Sequence, residues 1–141
     1  MTELEPAQRS KQFEGDKATP NKGPFASEEA ALSAVVQKLV EKIDPVEIWL
    51  FGSRAEGTHR PDSDFDLLLI TSLHDGDAGF DYDRAYAPIR GLGVRCEVVP
   101  CRADEFAIER TDPTSLCWRV VQTGRRLYER GSSDTSVLRS R

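Results

Sequence analysis

Gly52-Ser53 and, ten residues further on, Asp64-Phe65-Asp66 are the parts of this chain whose residue types and spacing suit chemistry. A strand that ends in a small-residue turn leaves bare backbone N–H groups for an anion. Two carboxylates two residues apart at the start of a strand point to one face. At roughly 5 Å and an effective dielectric of about 20 they repel by about 3 kcal/mol, which a cation relieves. Mg2+ takes oxygen ligands and bridges carboxylates to triphosphate oxygens. One pole for phosphate and one for a cation describe a site for a metal–nucleoside triphosphate. Neither half is specific alone, since Asp62-Ser63-Asp64 is also an ordinary turn and Gly52-Ser53 an ordinary strand end. The chain has no Gly-Lys-Ser/Thr, so this is not a P-loop.

The elements that must position these residues are legible on either side of them. Ser27 is a plausible N-cap, with Glu28 and Glu29 facing the positive end of a helix. Leu32, Val35, Val36, Leu39, Val40 and Ile43 follow at helical spacing, and Asp44-Pro45 ends the run. Residues 46–51 are β-branched and aromatic and read as a buried strand. Residues 52–63 read as a loop, and 65–71 as a central strand covered on both faces. Residues 72–80 read as a flexible loop and 81–90 as a short helix limited by Pro88. A third strand over Val94–Val99 is expected to stop at Pro100. Helices over 103–110 and from Asp112-Pro113 to Gly124, and a last strand at Arg126-Leu127-Tyr128, complete the chain. The expected fold class is α/β (α+β mixed), a small mixed sheet with helices packed mainly on one side. The expected organisation is a disordered tail over 1–26, one domain over 27–130 and a flexible tail over 131–141.

Length and composition agree with one soluble domain: 141 residues, 38% hydrophobic and 30% charged. No apolar run approaches the roughly 20 residues that cross a bilayer, and no signal peptide is recognisable. Cys96, Cys101 and Cys117 are odd in number and lack CxxC spacing, which predicts reduced buried thiols and a cytoplasmic location. The net charge of −5 divides unevenly, −9 over residues 1–83 and +4 over 84–141. A mildly acidic chain is a poor partner for long nucleic acid.

The joint pattern, Gly-Ser, ten residues and Asp-x-Asp between two hydrophobic strands, resembles the minimal nucleotidyltransferases of the DNA polymerase beta superfamily over roughly residues 28–130. The resemblance implies that Gly52 and Ser53 bind the triphosphate of ATP. It implies that Asp64 and Asp66, with a third carboxylate on a later strand, are catalytic and bind two Mg2+ ions; Glu97 is the match for that third group. Two positions depart from the family pattern: Glu97 stands where Asp is commoner, and Glu56 where Arg is frequent. Arg54 is open between a phosphate contact and a surface role. The implied reaction moves AMP from ATP onto a hydroxyl. An antitoxin-like member acting on a helical toxin partner is one implied setting; an antitoxin with an idle site and an antibiotic-modifying transferase are the alternatives. The Arg-rich second part, including Arg90, Arg95, Arg102, Arg110, Arg119, Arg125 and Arg126, predicts a homo-oligomer or a helical partner that buries part of residues 84–130.

Overall fold

The computed structural model of the chain describes residues 19–72 and 82–131. The N-terminal segment 1–18, much of the expected loop 72–80, and the C-terminal residues 132–141 lie outside the described residues. Helix α1 runs over Glu28–Ile43. Ser27 caps it, its hydroxyl accepting from the Ala30 N–H at 3.0 Å. Its apolar stripe buries Ala31, Leu32, Val35, Val36 and Leu39. Asp44 ends it in the left-handed region with φ 55°, and Pro45 prevents its continuation.

Strand β1, Glu47–Phe51, is followed at once by the short helix α2, Ser53–Glu56, and then by β2, Phe65–Thr71. Helix α3, Tyr82–Tyr86, runs into a 3-10 turn at Ala87–Ile89. Strand β3, Cys96–Arg102, helices α4, Ala103–Glu109, and α5, Leu116–Thr123, and strand β4, Arg125–Glu129, follow. The sheet order is β3-β2-β1-β4. Strand β1 is antiparallel to both β2 and β4, while β2 and β3 are parallel and joined through α3.

Four sequence expectations shift here. The helix expected to open at Asp112-Pro113 begins only at Leu116, with the Ser115 hydroxyl capping it by accepting from the Trp118 N–H. The loop read over 52–63 begins with a helical turn, because Gly52 O accepts from the Ala55 and Glu56 N–H groups. Strand β3 does not stop at Pro100; it runs on to Arg102, with Pro100 opposite Leu69. An edge strand tolerates proline because one side of it has no neighbour to need the N–H. Residues 19–26, grouped by composition with the tail, pack on the domain through Asn21, which is 1% exposed. Its side-chain amide donates to Ser63 O at 3.0 Å and Arg95 O at 2.7 Å, and its oxygen accepts from the Arg95 N–H at 2.8 Å. A run poor in apolar residues gives no periodic signal of such an amide clasp.

The fold is a mixed α/β sheet with its main core on one face. There α1, Ala85 and Ile89 cover Ile48, Leu50, Phe65, Leu67, Leu69, Val98 and Leu127. Strand alternation sends Trp49, Leu68 and Ile70 to the other face, where Phe106 of α4 and Cys117 and Val120 of α5 form a smaller cluster.

Candidate functional site

Strand register brings the singled-out residues to one corner of the sheet. Phe51 pairs with Asp66 across β1 and β2, so the Gly52 turn lies beside Asp66. Asp66 in turn pairs with Glu97 across the parallel β2–β3 ladder. Parallel partners point to the same face, and alternation makes this the α4/α5 face that Leu68 and Ile70 share. Asp64, two residues before Asp66, stands just ahead of β2.

Gly52 is required twice over. Its φ of 77° lies where L side chains are strained, and a Cβ would run into Asp66 Oδ2. The bare Cα therefore lets the turn and the carboxylate share one space. Ser53 opens α2 and lines a cleft of about 400 Å3 whose other wall is α5. Gly52 borders this cleft too, whereas Asp64, Asp66 and Glu97 are not among its lining residues.

Electrostatics record the crowding. Burial, then the Glu97 charge, then the Asp64 charge, push the Asp66 carboxyl above its ordinary range. Asp64 is an exposed partner of Arg95, with 3.6 Å between Oδ1 and Nε. With Asp64 held there, no three His, Cys, Asp or Glu side chains among the described residues close on a single point as metal ligands do. The donor set nevertheless suits a hard divalent cation: carboxylate oxygens only, one of them on a carboxyl already strained by two like charges. Cys96 is pushed up to about 12 by burial, with Asp64 and Asp66 adding to it, so its thiol is not a nucleophile at neutral pH. All three cysteines are free, but only Cys117 is buried as expected; Cys96 and Cys101, on the edge strand β3, are half-buried. Burial raises the pKa of Cys101 and Cys117 as well.

Arg54 takes the structural role. Its side chain is 5% exposed and pairs with both carboxylate oxygens of Glu28 on α1, each at 3.1 Å. It also donates to Ser63 O and Pro61 O and lies over the Phe65 ring. This guanidinium ties α2 to α1 and to the segment before Asp64, with four of its five N–H donors engaged in doing so. Glu56, the other residue of α2 marked by the sequence, faces Arg119 and Thr123 across the cleft. Sequence reading placed Arg119 only in a general basic surface, and no local motif joins residues 56 and 119. In α5, Leu116 is 44% exposed at the cleft, and Cys117 takes the core position beside it.

Residues 32–116 match the nucleotidyltransferase domain family. A search of curated proteins gave no match. Among solved structures, a candidate nucleotidyltransferase of Sulfolobus solfataricus is 18% identical, with a TM-score of 0.46 over 70% of this chain and 78% of that one. A toxin–antitoxin structure with AMP-PNP is 24% identical, with a TM-score of 0.48 over 77% of this chain and 82% of that one. No helix among the described residues is long and apolar enough to cross a membrane.

Proposed function

Because this chain belongs to the nucleotidyltransferase domain family, we propose that it moves AMP from ATP onto a hydroxyl acceptor. Gly52 and Ser53 hold the triphosphate, and Asp64, Asp66 and Glu97 hold two Mg2+ ions. The observation that carries this reading is the corner where Gly52 leaves room for the Asp66 carboxylate and Glu97 stands opposite Asp66 in register.

The chain's own contribution is positioning and charge. The Ser53 hydroxyl, at the border between carboxylates and cleft, donates to a phosphate oxygen. Asp64 leaves its exposed pair with Arg95 when a cation offers a stronger partner. The acceptor oxygen attacks the α-phosphorus; its bond to phosphorus forms while the bond to the bridging oxygen breaks, and pyrophosphate departs. The acceptor proton passes to the carboxylate of Glu97 or Asp66. Asp64, Asp66 and Glu97 would hold Mg2+, which when bound would neutralise the triphosphate and lower the acceptor's pKa. The extra methylene of Glu97 fits this geometry because β3 is an edge strand and the residue is exposed, with room to turn.

The acceptor we propose is a hydroxyl on a helical protein partner, in a cytoplasmic toxin–antitoxin pair. The small domain supports this, since a triphosphate and its acceptor together need a deeper enclosure than one short sheet readily forms.

The test has two parts. Mg-ATP raises the melting temperature of the wild type, and Asp64→Asn with Asp66→Asn removes that gain. Labelled ATP with Mg2+ and the product of the neighbouring gene then yields a labelled protein. Glu97→Gln lowers turnover much more than nucleotide affinity. An equal Mg-ATP shift in the double variant would place the nucleotide elsewhere. Unchanged turnover in Glu97→Gln would return Glu97 to a solvated edge position.

A further inference from the structure

The cleft between α2 and α5 holds an opposed charge pair that the transfer reading leaves unused. Arg119 Nη2 of α5 stands 3.7 Å from Glu56 Oε2 of α2. Thr123 Oγ1 is 3.4 Å from the same carboxylate oxygen. A hydroxyl has one proton, and the Arg119 carbonyl, at 2.9 Å, is its better acceptor. Glu56 therefore holds Arg119 mainly by a long ion pair that water reaches, the Arg119 side chain being 67% exposed. Such pairs are weak and easily exchanged.

The neighbouring guanidinium groups are differently placed. Arg54 is buried, with four of its five N–H donors given to Glu28, Ser63 and Pro61. Arg95 pairs with Asp64 on the carboxylate side of the turn. Among the described residues that line the cleft, Arg119 is the one cation, and Ser53 lines the same space. A planar guanidinium fork matches paired phosphate oxygens better than one carboxylate oxygen at this distance.

We propose that Glu56 and Arg119 form a latch on nucleotide binding: Arg119 leaves Glu56 to bind the triphosphate of the nucleotide held at the Gly52–Ser53 turn. Glu56 lowers the affinity for that nucleotide by occupying Arg119 until the ligand arrives. The inference rests on the nucleotidyltransferase reading of the turn. It also gives the acidic residue at position 56, where the related pattern often has Arg, a role of its own.

Calorimetric titration of the full chain with a non-hydrolysable ATP analogue and Mg2+ tests it. Arg119→Gln weakens binding about ten-fold, the loss of a charge-assisted phosphate contact. Glu56→Gln tightens it about three-fold by freeing Arg119. In the Arg119→Gln background, Glu56→Gln loses most of that gain. Arg119→Lys, which keeps the charge without the fork, falls between wild type and Arg119→Gln. Melting temperatures without ligand show that each variant is folded. Unchanged affinity in folded Arg119→Gln overturns the latch. So does an equal gain from Glu56→Gln in both backgrounds, which means simple charge repulsion. If neither the wild type nor Glu56→Gln binds the analogue, latch and transfer reading fall together. Binding with the expected Arg119 effect, but no transfer to any acceptor, supports the latch and removes only the transfer.

Discussion

The two faces of the sheet carry very different loads. Among the described residues of the α1/α3 face, fifteen buried side chains from helices and all four strands form one cluster. On the α4/α5 face the cluster has six, and the strand positions beyond it hold Asp66 and Glu97 instead of apolar residues. The thin face is also where α5 stands off from α2 to leave the cleft. Burial of apolar area is the main source of stability, so the thick face can maintain the fold while the thin one holds groups that repel each other. Charge and open space gather where they cost the fold least.

Substitutions on the two faces test this contrast. The largest effect belongs to the thick face: Leu69→Ala, at a fully buried position of β2, costs about 2–5 kcal/mol by urea unfolding. Leu116→Ala, at the exposed edge of the cleft, stays within about 0.5 kcal/mol. Equal losses at the two positions would erase the difference between the faces. Gly52→Ala, at the border of the site, comes next. The positive φ and the encounter with Asp66 Oδ2 cost about 1–3 kcal/mol, and the Mg-ATP gain in melting temperature disappears. An alanine variant that kept both its stability and that gain would show that turn and carboxylate do not share space.

The smallest effect has the opposite sign. Asp66 has a raised carboxyl pKa, so its charged form is less welcome in the folded chain than in the unfolded one. Its protonation favours folding below the ordinary value of 3.8, and that contribution is lost as pH rises through the folded value. At pH 7 in metal-free buffer, Asp66→Asn therefore melts above the wild type. The margin narrows as pH falls toward 3.8, and Mg2+ narrows it at pH 7 by stabilising only the wild type. A destabilised Asp66→Asn at pH 7 would mean that the carboxylate supports the thin face.

The parts legible in the sequence are those that obey local rules. The Ser27 cap, the stripe of α1, the apolar strands β1 and β2 and the late strand around Leu127 follow from periodicity and capping chemistry. Gly52 and Asp66 were recognisable because their spacing lies within one strand–turn–strand unit. The missed features depend on distant partners. Arg54 pairs with Glu28, 26 residues away, Glu56 meets Arg119 on another helix, and Asn21 reaches Arg95 across 74 residues. None of these contacts leaves a period in the chain. The strand through Pro100 was misread for a related reason: proline rules out a ladder on both sides, and only the sheet order reveals that β3 has a neighbour on one.

That proline also shapes how the molecule can meet other chains. A foreign strand laid along the outer edge of β3 would find no N–H at Pro100 and would lose the continuity of its ladder there. At the opposite edge, β4 presents Arg126 and Glu129, paired with each other at 3.3 Å, which a docking strand would have to desolvate. Among the described residues, both borders of the sheet thus disfavour extension into a neighbour's sheet, the edge-to-edge route to aggregation.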